Sequence, residues 1–419
     1  MVRKHSSQNK VIERREGLLS MKIANRLAHV KPSLTLAVTA KAAELKAQGH
    51  DIISFGAGEP DFNTPQPIID AAKKALDEGK TKYTPVPGVM ALRESIAKWY
   101  HRHFGVEASA DEVIVATGGK QVLYNAMMSI LNPGDVVLIP SPYWLSYPAM
   151  ANLCGAEVKY IETTKEENFL LTAAQLDEAL AKDPQALLVL NSPCNPTGQA
   201  YDADRLAQIA DVLRRYPDVS IIWDNIYASL VYDGFKHVEL TKIAPDLHDR
   251  VITTGGFSKS FAMTGWRLGL AIAHKDRIKA MSSIQSHSTS NATSFAQYGA
   301  IAALELDDSV IENMRLTFEG RKNIICEEIA KIEGISCLAP KGAFYVLLDC
   351  TKFCNIEKAG LSIHDDIELA KFLLEKGHVS TVPGSAFGAF GHLRLSFALD
   401  EKSIVEGIRR IGKALESLR

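Results

Sequence analysis

Between Asp111 and Ala273 short apolar runs alternate with polar, helix-like stretches, and this alternation constrains the fold more than any other feature of the chain. The runs are Val113–Ala116, Val136–Ile139, Val158–Ile161, Ala186–Leu190, Ile221–Trp223, Val251–Thr254 and Gly269–Ala273. Each is short and apolar enough to be a buried strand. Helical patterns such as Gln121–Leu131 and Ala203–Arg215 lie between most of them. Strands separated by helices read as βαβ units, so the pattern predicts an α/β fold built on a mostly parallel seven-stranded sheet covered by helices.

After this region, Val310–Ile332 is a long amphipathic helical pattern suited to bridge to a second body. Lys341–Asp349 then reads as a strand, Ile367–Lys376 as a helix and His392–Phe397 as a strand, which together predict a smaller α/β domain. A chain of 419 residues is long enough for two or three domains. Its 46% hydrophobic and 23% charged residues are those of an ordinary globular protein.

Charge and cysteine usage exclude several classes of function. The net charge of −2 offers no basic field for nucleic acid or an anionic membrane. No run approaches the roughly 18 apolar residues of a membrane span. The six cysteines are scattered, none in a C-x-x-C pair, so neither a zinc site nor a disulfide framework is predicted, and a reducing cytoplasm is the expected setting. Residues 1–20 are polar and charged and read as an N-terminal extension. They lack an apolar stretch for a signal peptide, and Glu13 and Glu16 argue against an organellar transit peptide.

The chemistry concentrates in GGFSKSFAMTGWRLG, Gly255 to Gly269. Lys259 sits between two serines just after a strand, and Arg267 follows eight residues later. A lysine held among small residues can be partly desolvated, which lowers its pKa and frees the amine to attack a carbonyl. An arginine and a serine hydroxyl nearby can hold a phosphate. Together they suggest an aldehyde-bearing, phosphorylated cofactor, a description that pyridoxal phosphate fits; the plainer reading is a strand, a turn and a surface lysine. Three further segments bear on the choice. NSPCNPTG at 191–198 presents Asn195 after an apolar strand, IIWDNIY at 221–227 ends a strand at Asp224 with Tyr227 three residues on, and VIVATGGKQ at 113–121 runs a strand into Gly118 and Gly119. Singly these read as a turn, a helix-capping carboxylate and a tight turn. In combination each falls at the C-terminal end of a strand, where open α/β sheets bind ligands.

From about Met21 to the C-terminus the chain resembles the fold-type-I pyridoxal-phosphate aminotransferases, and within them the bacterial aspartate aminotransferases. The segments that carry the resemblance are VKPSLTLAV at 30–38, GAGEPDFNTP at 56–65, KTKYTP at 80–85, GGKQ at 118–121, SPYWLSYP at 141–148, the segments quoted above, KGAFYVLLD at 341–349 and VPGSAFGAFGHLRLSFA at 382–398. The resemblance implies a segment 21–64 that joins the small domain, a large cofactor-binding domain at 65–310 and a small domain at 311–419.

It also implies roles for particular residues. Lys259 would hold pyridoxal 5′-phosphate as a Schiff base and then move the substrate Cα proton. Asp224 would pair with the ring nitrogen, and Tyr227 and Asn195 would bond the phenolic oxygen. Gly118, Gly119, Lys120, Ser258 and Arg267 would cup the phosphate, and Trp144 would stack on the ring. Arg394 would grip the substrate α-carboxylate, with Gly58 and Phe387 closing over it. Tyr83 would reach a neighbouring subunit's phosphate, which implies a homodimer with shared active sites. Lys120 resembles a lysine that reads the distal carboxylate of acidic substrates, and Lys31 one that serves prephenate. Cys194 and Asn225 depart from the common pattern, at positions without a direct chemical role.

The implied activity is amino transfer from L-aspartate to 2-oxoglutarate by a ping-pong cycle. The same chemistry with other partners, namely aromatic, alanine or prephenate transamination, stays open as an alternative. So does a pyridoxal-phosphate lyase on the same scaffold, since fold alone does not fix the reaction. A non-catalytic regulator would need a DNA-binding module, and the basic helical element of such a module is missing from the sequence.

Overall fold

The computed structural model describes residues 23–30, 34–358 and 361–419; Lys31 and residues 1–20, expected to be an extension, lie outside them. Its largest sheet has seven strands: β1 (Val113–Ala116), β2 (Val136–Ser141), β3 (Glu157–Glu162), β4 (Leu187–Asn191), β5 (Ser220–Asp224), β6 (Val251–Gly256) and β7 (Gly269–Ile272). Their spatial order is β1-β7-β6-β5-β4-β2-β3. The five strands from β6 to β3 run parallel, whereas β7 is antiparallel to both of its neighbours, with Gly256 opposite Gly269 in the β6–β7 register.

The seven apolar runs of the sequence are these seven strands, within two residues at each end. The interior strands are continuous apolar runs because both of their faces are covered. Along β4, Leu187 and Val189 face one core with Val122, Met127 and Ile222, while Leu188 and Leu190 face another with Leu206, Ile209 and Trp223. This is the period-two alternation of a strand applied to two apolar faces. Only β3 reads differently. It is an edge strand, mostly exposed or half-exposed, and its Glu157, Lys159 and Glu162 discourage further pairing.

The helix expected at Ala203–Arg215 occupies that span, started by Asp202, whose carboxylate accepts from the Arg205 amide. The helix expected from Gln121 begins at Gly119, because the carbonyl of Gly118 already accepts from Gln121 and Val122. The long helix covers Asp308–Ala330 rather than 310–332, since Asp307 caps it at the Ser309 amide.

A second, antiparallel sheet pairs Val382–Pro383 with His392–Ser396, that strand with Tyr345–Asp349, and the last with Ser336–Cys337. The strand expected from Lys341 starts at Tyr345. The amides of Lys341 and Gly342 donate instead to the carbonyl of Gly198, and that of Ala343 to Leu230, which ties this segment to the large sheet's loops. Phe318, Phe344, Leu393, Phe397 and Ile408 form the core beneath, with helix Glu401–Glu416. Phe55 is fully buried in this core, Ile53–Ser54 pairs with Val379–Ser380, and the backbone of Phe55 bonds Ser380 and Ser396.

Candidate active site

The C-terminal ends of β4, β5 and β6 deliver Asn191, Asp224 and Gly255 to one edge of the sheet. A cavity of about 420 Å³ opens there, between the sheet and the residues around Tyr345 and Arg394 of the second body. It lies where open α/β sheets place ligands. Of the residues singled out in the sequence, Gly58, Gly119, Lys120, Trp144, Asn195, Asp224, Tyr227, Ser258, Lys259, Arg267 and Arg394 all line it.

Asp224 is the last residue of β5 and is 4% exposed. Its Oδ2 accepts from the Tyr147 hydroxyl at 2.6 Å and its Oδ1 from the Ile226 amide at 3.2 Å. Burial pushes its carboxyl up to about 6; the Tyr147 and Ile226 bonds oppose the shift without cancelling it. Among the described residues no cation pairs with it, so the floor of the cavity holds a buried acceptor with no positive partner.

Lys259 follows β6 in a single helical turn, Phe257–Ser260. Its Nζ donates to the carbonyl of Gly58 at 2.5 Å and lies 5.8 Å from the centre of the Phe344 ring. The amine faces the cavity while protein shields it from bulk water. That burial lowers its pKa to about 8, with Arg394 and Arg267 adding to the effect and Glu59 opposing it. The amine is thus neutral in part near neutrality, as a nucleophilic or basic lysine must be.

The cationic end is built by the turn between β1 and helix Gly119–Ile130. Gly118 has φ 87°, and a Cβ there would collide with the Arg267 guanidinium, so only glycine lets the two meet. Arg267 donates from Nη1 to the carbonyl of Thr264 at 2.9 Å. Lys120 lies 5.1 Å from the centre of the Trp144 ring, and burial followed by the charge of Arg267 lowers its pKa. Buried Ser258 completes the group. Among the described residues no carboxylate pairs with Lys120 or Arg267, and both flank the start of a twelve-residue helix, whose N-terminus favours an anion. The set suits a phosphate.

Arg394, on one of the two inner strands of the small sheet, is 2% exposed. Nη1 donates to Asn195 Oδ1 at 3.2 Å and Nη2 to the carbonyl of Gly56 at 3.0 Å, while Nε is buried without a partner. The rings of Tyr345 and Phe387 lie 4.5 and 5.0 Å from the guanidinium carbon. A buried cation with an unused donor suits a carboxylate. The Tyr227 hydroxyl bonds that of Tyr345 at 3.0 Å, within the same cavity wall.

Of the other expected residues, Gly118 shapes the turn behind Arg267 without lining the cavity, two are placed away from it, and one falls outside the described residues. Phe387 is fully buried and does not line the cavity; it packs against Arg394, so its contact is with the arginine rather than with open space. Tyr83 is 91% exposed and not among the cavity's residues. Lys31 lies outside the described residues. Conversely, Tyr147, Asn191, Thr254 and Tyr345 line the cavity and were not singled out in the sequence. Asn191 donates to the carbonyl of Asp224 at 2.9 Å and accepts from the Asn195 amide at 2.9 Å, bracing two strand ends. Tyr147 lay within the quoted SPYWLSYP, but nothing local shows that its hydroxyl meets Asp224, 77 positions away.

A phosphate cup, a buried carboxylate with no cation beside it and a lysine of lowered pKa in one cavity fit pyridoxal 5′-phosphate. Comparison with known proteins agrees. Residues 50–411 match the family model described as aminotransferase class I and II. The chain is 45% identical over 390 residues to a probable aspartate/prephenate aminotransferase of Rhizobium leguminosarum bv. phaseoli, covering 93% of this chain and 97% of the relative. It is 45% identical over 397 residues to an aspartate aminotransferase of Geobacillus stearothermophilus, covering 95% and 100%. The crystal structure of an aspartate aminotransferase from Rhizobium meliloti superposes with a TM-score of 0.91 at 37% identity, over 95% of this chain and 99% of that one. With a family match across most of its length and such relatives at both the sequence and the structural level, the chain belongs to the class I and II aminotransferases, enzymes that use pyridoxal 5′-phosphate.

Proposed function

We propose that the chain transfers the amino group of L-aspartate to 2-oxoglutarate, giving oxaloacetate and L-glutamate. The observation that carries this is one cavity containing Lys259 as a largely desolvated amine, Asp224 as a buried carboxylate with no cationic partner, and two cationic groups, Arg394 and Lys120, for a substrate with two carboxylates. The names of the relatives point to the same donor.

When bound, pyridoxal 5′-phosphate supplies an aldehyde carbon that accepts the amino group and a cationic ring that draws electrons from the substrate Cα. The protein's share is binding, orientation and proton transfer. Gly118, Gly119, Ser258 and Arg267 hold the phosphate, and Trp144 covers the ring. Asp224 keeps a proton on the ring nitrogen, because a buried carboxylate is best compensated by a cation directly against it. Tyr227 and Asn195 bond the phenolic oxygen. Lys259 would hold the cofactor at its aldehyde carbon, and its freed Nζ would be the base that moves the substrate Cα proton across the amino nitrogen to that carbon. Arg394 fixes the α-carboxylate and so the direction of the Cα–H bond. Lys120 receives the distal carboxylate, whose burial without a cation would cost several kcal/mol.

The assembly in this reading is a homodimer in which Tyr83 of each chain reaches the phosphate of the other, and its 91% exposure in the single chain leaves it available for that. The reading also takes 65–310 as a cofactor domain, 311–419 with 21–64 as a smaller domain, and a cytoplasmic setting. Among the described residues no helix is long and apolar enough to cross a membrane. A panel of single amino acids and 2-oxo acids, scored by the absorbance change of the bound cofactor, tests the proposal. Aspartate and glutamate should each convert the cofactor to its amine form without a second substrate. Conversion by neutral donors alone would overturn it.

A further inference from the structure

Both cations assigned to the chemistry at the reacting carbon are held by the same short piece of backbone. The carbonyl of Gly56 accepts from Arg394 Nη2 at 3.0 Å, and the carbonyl of Gly58, two residues on, accepts from Lys259 Nζ at 2.5 Å. Residues 55–65 form no regular secondary structure. Their position is set by what grips them at each end. Upstream, the backbone of Phe55 bonds Ser380 and Ser396, each at 2.8 Å. Downstream, both carboxylate oxygens of Asp61 accept from Arg321, at 2.6 and 2.9 Å.

Arg321 is built for this contact. It projects from the long helix Asp308–Ala330 and is 8% exposed. Its guanidinium carbon lies 5.4 Å from the ring centre of Phe62 and 5.6 Å from that of Phe318, and the two rings meet edge to face. A planar fork flanked by two aromatic rings and closed on a carboxylate has little freedom to shift. Neither Arg321 nor Asp61 lines the cavity. Weaker ties supplement the pair: Thr264 donates to Glu59 at 2.7 Å and Thr64 to the carbonyl of Ala262 at 2.7 Å.

We propose that Asp61 and Arg321 are positioning residues, a clasp that pins the Gly56–Asp61 backbone so that two of its carbonyls hold Arg394 and Lys259 aligned on the substrate. The proposal rests on the roles given above to those two residues. It explains why a bidentate ion pair sits on an irregular segment whose downstream end would otherwise be held by single hydrogen bonds. Displacements of about 1 Å in groups that orient a substrate cost on the order of a hundredfold in rate, so a clasp at this distance can matter as much as a direct contact.

The test uses the cofactor-loaded enzyme with Asp61→Asn, nearly isosteric on a partly exposed side chain, and Arg321→Met. Three quantities are read: hydrogen exchange of the 56–62 amides, the Kd of maleate as an unreactive dicarboxylate, and the Kd of the cofactor. Asp61→Asn should speed exchange at 56–62 about tenfold or more while the amides of the seven-stranded sheet keep their rates. Maleate should bind about tenfold more weakly, and cofactor affinity should move less than about threefold. The double variant should lose no more maleate affinity than the worse single variant, because both remove one interaction. If Arg321→Met fails to fold, Asp61→Asn carries the test alone. Unchanged exchange at 56–62, or faster exchange with unchanged maleate affinity, overturns the clasp. Wild-type enzyme that binds no maleate overturns the role of Arg394 and the clasp with it; only that failure is visible in the wild type.

Discussion

Replacing Asp224 by Asn separates what this carboxylate costs the fold from what it contributes to the chemistry. In the cofactor-free protein burial raises its pKa from 3.8 to about 6. A raised folded-state pKa means that the folded chain holds the proton more tightly than the unfolded one. The penalty is therefore absent below about pH 4, grows as pH rises, and is complete above about pH 6. Roughly two units at about 1.4 kcal/mol each make the full penalty about 3 kcal/mol, of which about 2 kcal/mol develops between about pH 4.5 and pH 7.5. Asparagine does not titrate. Its Oδ1 can still accept from Tyr147, but its amide adds a buried donor without an acceptor, a cost of about 1–3 kcal/mol at every pH. The sign of the total change at one pH is thus set by two opposed terms, whereas its pH dependence is set by one. Urea midpoints of cofactor-free wild type and variant, taken at fixed protein concentration, should diverge in the variant's favour by about 2 kcal/mol across that interval. Parallel profiles would refute the reasoning, because they would mean that the carboxylate is not penalised by burial. Adding cofactor should reverse the ranking: a cation against Asp224 offsets the penalty in the wild type, and the variant should lose both affinity and, by about two orders of magnitude or more, turnover.

Lys259→Ala should fold and bind pyridoxal phosphate without a covalent bond, with turnover lower by several orders of magnitude; borohydride labelling of another lysine in the wild type would refute the assignment. In cofactor-free wild type the Lys259 amine loses its proton near pH 8, so its labelling by an amine-reactive reagent should rise through that pH, well before ordinary surface lysines react near pH 10. Lys120→Ser should weaken aspartate and glutamate selectively, by about 2–3 kcal/mol in kcat/KM relative to alanine; equal losses for acidic and neutral donors would show that this lysine does not read the distal carboxylate. Tyr147→Phe removes the stronger of two bonds that restrain the Asp224 carboxyl, so the apparent pKa of that group in the cofactor-free protein, followed by carbon NMR, should climb above 6, its wild-type value being about 6.

The sheet was legible because its signal is local. Interior strands buried on both faces must be apolar throughout, and runs such as Ile221–Trp223 could hardly serve otherwise. Helix Ala203–Arg215 was legible to the residue because Asp202 caps it and its apolar positions recur at helical spacing. The strand at Tyr345 was read as starting too early because Lys341–Ala343 has strand-like neighbours but spends its amides on Gly198 and Leu230, contacts no local pattern reveals. The same divide runs through the cavity. Lys259, Asp224 and Arg267 stand in distinctive local contexts. Tyr147 and Tyr345 matter through partners 77 and 118 positions away, and Asp61 through one 260 positions away. Such pairings are properties of the folded chain.

The reversed direction of β7 has a mechanical consequence. A parallel strand after β6 would require a crossover of about a dozen residues or more that returns the chain to the opposite end of the strands. Because β7 runs antiparallel, residues 257–268 instead form a closed loop whose two feet, Gly256 and Gly269, face each other in the ladder. Lys259 and Arg267 therefore stand like the jaws of a caliper on one rigid hinge, and the gap between them is indifferent to how the outer helices shift. The caliper also has a fixed scale. One residue inserted or removed between Ser260 and Trp266 changes the gap directly, with no crossover helix to absorb the error, so this loop should tolerate substitution far better than any change of length.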